Sequence, residues 1–264
     1  MKRDILAKSR EKRRKKFLLK ILAFFILFLI LVAGIVVTFY VDYFKIKNIS
    51  ISGNSFIGAE TLRLNIGESL DGKYFYLFPK SNIFLASKEE IKNHLLENFH
   101  RIKSVSVRKD LPDSILVEVK ERKPETLFCK DYNCAFIDEE GYIFEESPFF
   151  SGKIYLKFFD EREGNFFSIK KQLLALEEYK KLLDFTNLLI NDNIEITEIV
   201  LKKDGIYHLK SDEGWYLILN NSNNPESAYN NLKLTLETQI KEMRRGLEYI
   251  DLRLPNKVFY KFKL

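Results

Sequence analysis

From Ile21 to Val41 the chain runs 21 residues without a charged side chain, and Lys8-Ser-Arg-Glu-Lys-Arg-Arg-Lys-Lys16 stands shortly before that run. At ~1.5 Å per residue a helix of this length reaches ~31 Å, about the ~30 Å thickness of a bilayer's hydrocarbon core. The pattern predicts a basic tail over 1–20 and a transmembrane helix over 21–41. Lysine and arginine are retained on the cytoplasmic side. The first 16 residues carry nine of them against Asp4 and Glu11, so the N-terminus is expected inside the cell membrane and everything after Asp42 outside it. A cleaved signal peptide would have an apolar region of roughly 7–15 residues closing at a small-x-small site. Here the run closes on Thr38-Phe-Tyr-Val-Asp-Tyr-Phe44, so an uncleaved anchor is expected. Lys20 is placed to snorkel to the inner headgroups, and Phe39, Tyr40, Tyr43 and Phe44 suit the outer interface.

That tail also explains the charge. The whole chain carries +6 from 43 basic and 37 acidic residues, while the first 16 residues alone contribute +7. The remainder is close to neutral, so attraction of the tail to anionic lipid accounts for the basic excess, and nucleic acid is not expected as a partner. The region beyond the anchor is long enough for one large or two small cores.

Beyond the anchor, Ile49 and Ile51 alternate with serines and stop at Gly53-Asn54, which reads as a strand and a turn. Ala59, Leu62 and Ile66 repeat at helical spacing. Ser87-Lys-Glu-Glu90 is a capping-box pattern, followed by Ile91, Leu95, Leu96 and Phe99 on one helix face. Val105 and Val107, then Ile115, Val117 and Val119, form two alternating runs around Asp110-Leu-Pro-Asp113. The order strand, helix, helix, strand, strand over 44–124 describes an α+β module with both helices on one sheet face.

Residues 125–264 read as a second domain, a mostly antiparallel sheet with two helices. Strands are expected at 135–145, 153–159, 194–201, 205–210 and 215–220. One helix is expected over 168–187, with Leu173, Leu176, Tyr179 and Leu183 on overlapping faces. The other starts at Asn224-Pro225, carries Tyr229, Leu232, Leu236, Ile240 and Met243, and ends near Gly246. The final segment, Leu247–Leu264, reads as two strands around Leu254-Pro-Asn256. In the second of these Val258, Tyr260, Phe262 and Leu264 face one way, and Lys257, Phe259, Lys261 and Lys263 the other. A chain-terminal strand often lies at a sheet edge, where unpaired backbone groups accept a strand from another chain, although lysines can also block such pairing.

Chemistry is scarce in this sequence. Cys129 and Cys134, spaced C-x4-C across a turn-like segment, fit a disulfide in an oxidising compartment, with two free thiols as the alternative. A zinc site would need further ligands, and His94, His100 and His208 are scattered. There is no G-x-S-x-G, H-E-x-x-H, P-loop or G-x-G-x-x-G pattern. Asp138-Glu-Glu140 and Glu145-Glu146 read as carboxylates of solvated turns. A binding and assembly protein is expected, with no enzymatic activity, cofactor or metal.

Several strings carry a resemblance. Ile46-Lys-Asn-Ile-Ser-Ile-Ser-Gly-Asn54 resembles the opening strand of the POTRA module found just outside the membrane in FtsQ/DivIB division proteins. The segment Val105 to Pro124 is similar to that family's signature, with Arg108, Pro112, Glu121, Arg122 and Pro124 in the expected places. Phe136-Ile-Asp-Glu-Glu-Gly-Tyr-Ile-Phe144 resembles the hairpin that opens its β domain, and Tyr249-Ile-Asp-Leu-Arg253 with Lys257-Val-Phe-Tyr-Lys-Phe262 looks like its last two strands. The resemblance implies a septal membrane scaffold that holds FtsB/FtsL-like partners and links them to the septal peptidoglycan synthase complex. It also implies a partner strand added beside Lys257, Val258, Phe259, Tyr260, Lys261 and Phe262. A POTRA-bearing envelope component that guides exported polypeptides is the alternative, although such modules usually precede a membrane β-barrel, for which 125–264 is too short and too interrupted by helices.

Overall fold

The computed structural model describes residues 2–148, 150, 153–162 and 167–263, with the side chains of 2–12 and 14 left aside. Contacts divide the chain into two compact units, Met1–Glu121 and Arg122–Leu264.

The first unit opens with a helix, α1 (Lys2–Thr38), whose segment Lys15–Thr38 is long and apolar enough to cross a membrane. The helix stops three residues short of the end of the uncharged run. Phe39 and Tyr40 leave it in a turn because their groups engage the module that follows. The Phe39 carbonyl accepts from Asn82 Nδ2 at 3.1 Å, and the Tyr40 hydroxyl donates to the Leu77 carbonyl at 2.6 Å.

Next come β1 (Asn48–Ser52), α2 (Ala59–Leu70), a short hairpin of β2 (Lys73–Tyr74) and β3 (Phe78–Pro79), α3 (Lys88–Asn98), β4 (Ile102–Asp110) and β5 (Ser114–Glu121). The sheet order is β1-β5-β4, with β1 parallel to β5 and β4 antiparallel to it. Alternation in β5 works as read. Ile115, Val117 and Val119 are buried against Leu62 and Ile66 of α2 and Ile91 and Leu95 of α3, while Glu118 and Lys120 face water. Gly53 turns the chain after β1 at φ +80°, and a Cβ there would lie 2.1 Å from the Val119 carbonyl oxygen, so only glycine fits. At the start of α3 one arm of the capping box forms, with Glu90 N–H donating to Ser87 Oγ at 3.2 Å. The reciprocal arm does not, because the Glu90 carboxylate accepts instead from the Tyr74 hydroxyl (2.9 Å) and from Lys80 (3.0 Å).

The second unit contains β6 (Thr126–Lys130), β7 (Asn133–Ile137), β8 (Tyr142–Ser147), β9 (Lys157–Asp160), β10 (Lys171–Gln172), α4 (Leu176–Ile190), β11 (Ile196–Leu201), β12 (Ile206–Ser211), β13 (Tyr216–Asn220), α5 (Pro225–Thr235), β14 (Leu247–Leu254) and β15 (Lys257–Phe262). Its ten-stranded sheet has the order β10-β8-β7-β6-β9-β11-β12-β13-β14-β15 and is mostly antiparallel. Three pairs, β6/β9, β9/β11 and β13/β14, are parallel. In the last two of these a helix intervenes between the strands, α4 and α5 respectively, and a helix supplies the crossover that parallel strands need. One sheet face packs on Tyr179, Leu182, Phe185 and Leu189 of α4 and Ala228 and Leu232 of α5, with Trp215 fully enclosed.

Both helices depart from their expected extents. Helix α4 begins eight residues later than 168. Lys171 and Gln172 pair with β8, and Leu173 and Leu174 are buried in the entry to the helix, so Leu173 is a core residue outside it. Helix α5 starts as read, with Asn224 Oδ1 accepting from Ser227 N–H at 3.0 Å and Pro225 at the first position. After Thr235 it continues as a π turn, Leu236–Ile240, and a 3-10 turn, Lys241–Gly246. That change of pitch rotates the stripe, so Ile240 stays buried while Met243 is exposed.

Candidate functional site: the terminal edge strand

Strand β15 is the last strand of the sheet. It pairs antiparallel with β14, with Tyr249 opposite Lys261, Ile250 opposite Tyr260 and Asp251 opposite Phe259. Lys263 N–H donates to the Gly246 carbonyl at 2.8 Å. Backbone groups alternate sides along a strand, so Phe259 and Lys261 address β14 while the amides and carbonyls of Val258, Tyr260 and Phe262 point away from it. Among the described residues no strand pairs with that outer side.

Its side chains divide between the faces. Val258 and Phe262 pack partly against the core, and Tyr260, 38% exposed, meets the Phe262 ring edge-on at 5.7 Å. On the opposite face Phe259 is 54% exposed beside a shallow open depression lined also by Ile206, Asn220, Asp251, Arg253 and Leu254. Lys261 reaches Glu248 at 2.7 Å, a hydrogen bond that raises the lysine pKa. Burial pushes the Asp251 carboxyl up, yet the Arg253 guanidinium, which donates to it at 2.6 and 2.9 Å, outweighs this and holds it below the usual carboxylate range. Leu264, the last residue of the expected alternation, lies outside the described residues.

The other singled-out residues lie apart from this strand. Arg108 is exposed on β4, opposite Leu116, and Pro112 lies in the turn between β4 and β5. Glu121, at the end of β5, accepts from the backbone N–H groups of Ser55, Phe56 and Ile57 at 3.0, 2.9 and 3.1 Å, which fixes the loop leading into α2. Burial raises its pKa, but these three donors and Arg101 bring the balance below the ordinary value. Arg122 forms an ion pair with Asp138 and lies over the Tyr142 ring at 4.3 Å. Asp138 is therefore no solvated turn carboxylate. It is fully buried, and its other oxygen accepts from the N–H groups of Glu140 (2.9 Å) and Tyr142 (3.0 Å). Pro124 precedes β6, and Cys129 and Cys134 face each other across the β6/β7 hairpin, joined by a disulfide.

Comparison with known proteins agrees with this architecture. Residues 44–122 match the family model described as POTRA domain, FtsQ-type. Cell division protein FtsQ of Syntrophotalea carbinolica is 26% identical over 169 residues, 59% of this chain and 56% of that protein. The chain carries a POTRA domain of the FtsQ type and is similar to FtsQ and DivIB proteins. Two DivIB relatives extend the match. The Clostridium acetobutylicum protein is 31% identical over 44% of this chain and 42% of its own length. The Clostridium tetani protein is 24% identical over 79% of this chain and 70% of its own. The match thus covers about half the length of the first two relatives. These relatives support a role in cell division, and α1 is a helix long and apolar enough to cross a membrane.

Proposed function

We propose that the chain is a bitopic scaffold of the bacterial divisome that recruits FtsB/FtsL-like partners by strand addition at β15 and couples them to septal peptidoglycan synthesis. On this reading the N-terminus is cytoplasmic, the folded region after Asp42 is extracytoplasmic, and the protein is enriched at the septum and works by binding, without catalysis or cofactor. The observation that carries it is the outer side of β15, unpaired by any strand among the described residues, a row of backbone donors and acceptors with aromatic side chains above and below.

Magnitudes decide what such a contact needs. Up to six backbone hydrogen bonds at Val258, Tyr260 and Phe262 contribute about 0.5–1.5 kcal/mol each, while association costs about 4–15 kcal/mol. Backbone pairing alone does not hold a partner. Covering Tyr260 and Phe259 adds about 1.5–3 kcal/mol apiece, so a binding segment should carry apolar side chains that reach both rings. The test is a tagged copy in dividing cells together with affinity capture from solubilised membranes. Midcell enrichment and co-elution of small single-pass division proteins are expected, whereas an even membrane distribution with no such co-elution would refute the scaffold reading.

A further inference from the structure

Between α2 and α3 the β2/β3 hairpin presents Phe75, Tyr76 and Leu77 to the outside, 87%, 94% and 54% exposed. Phe75 and Tyr76 also adopt positive φ, +50° and +62°, a conformation that bulky residues rarely accept. Two aromatic side chains held in that conformation with almost no cover from their own unit call for a partner outside the fold.

The surroundings say which partner. The hairpin is fastened to the two residues that follow the apolar helix. Phe78 meets Phe39 edge-on at 5.7 Å, the Leu77 carbonyl accepts from the Tyr40 hydroxyl at 2.6 Å, and Lys73 Nζ sits 5.2 Å from the Tyr40 ring centre. A bilayer's headgroup layer adds about 5–8 Å to each side of the hydrocarbon core. Residues one side chain away from Tyr40 are within that layer's reach. Apolar exposure also continues on the neighbouring loops at Tyr43 (61%) and Phe84 (53%), both packed edge-on against Phe44. Exposed aromatics with a lysine beside a membrane helix end have the composition of an interfacial belt.

We propose that the Phe75-Tyr76-Leu77 hairpin tip is a second membrane contact, seated in the headgroup layer of the same bilayer that α1 crosses. The contact would tie the POTRA unit to the lipid surface in addition to its covalent anchor. The inference rests on α1 spanning the bilayer, and its test reads the two separately.

Full-length Phe75→Trp and Tyr76→Trp variants would be reconstituted into phosphatidylcholine/phosphatidylglycerol vesicles whose acyl chains carry bromine either near the headgroup or near the chain end. Emission from the native protein is subtracted, since Trp215 is enclosed in the other unit. Phe28→Trp reports the span. The expected result is deep-bromine quenching of Phe28→Trp together with blue-shifted emission from the hairpin variants, quenched more by shallow than by deep bromine. If Phe28→Trp is quenched while both hairpin variants emit as in water without quenching, the hairpin proposal fails and the span stands. An unquenched Phe28→Trp removes the span and the proposal with it. A blue shift of the hairpin variants that needs an added protein and shows no bromine effect overturns the lipid assignment in favour of a protein contact.

Discussion

At the scale of single residues, adjacent positions do different jobs. Glu121 serves the first unit by collecting three N–H groups, and Arg122 serves the second by meeting the buried Asp138. Replacing Glu121 with glutamine leaves one neutral oxygen where a carboxylate accepted three bonds. A loss of about 1.5–3 kcal/mol is expected at pH 7, the range for hydrogen bonds to charged groups. The pH dependence fixes the mechanism. Because the folded carboxyl titrates below its unfolded value, its contribution is fully present above the ordinary carboxylate pKa and is lost as pH falls through the folded value. Urea titrations of the detergent-solubilised chain at neutral and acidic pH should therefore show wild type and Glu121→Gln converging in acid. A gap that stays constant with pH would assign the effect to packing instead. None of this was legible in the sequence, since the partners lie 64 to 66 residues away. Asp138 departs from the solvated-turn expectation for a related reason. A carboxylate in a Glu-rich turn looks solvated until Arg122, 16 residues earlier, is found beside it.

Elements were legible wherever burial follows a simple period. The alternation of β4 and β5, the stripes of α2 and α3, and the Asn224-Pro225 start of α5 were all readable because one face of each meets a core and the other meets water. The β2/β3 hairpin was not, since its two-residue strands and unbroken aromatic run carry no alternation, and the parallel pairings of the second sheet leave no local trace. The edge position of β15 belongs to the same class. Its pattern is visible in the residues, but which side lacks a partner is a property of the sheet order. That order yields a paired prediction. Tyr260→Pro deletes an amide that points away from β14, so the sheet should survive while capture of the division partners falls by at least tenfold, the effect of losing about 1.4 kcal/mol. Phe259→Pro deletes an amide within the β14 ladder and should lower the melting temperature as well. Unchanged capture by a folded Tyr260→Pro variant would exclude pairing along this strand.

At the scale of the whole molecule, the basic tail and the apolar helix carry the proposed topology. Net charge is concentrated before the helix, and a lysine- or arginine-rich flank resists transfer across the bilayer far more than the near-neutral units beyond it. On the proposed topology everything folded after Asp42 shares one side, where a disulfide between Cys129 and Cys134 can persist without the reducing systems of the cytoplasm. This gives a prediction independent of any partner. Protease added to intact spheroplasts should digest the region after Asp42 and leave a small membrane-embedded fragment, detectable through a tag at Met1 that is itself protected until the membrane is opened. Digestion of the Met1 tag with protection of the folded units would place the basic tail outside. Strand addition at β15 could not then serve partners beyond the membrane, and the disulfide would have to survive in a reducing compartment.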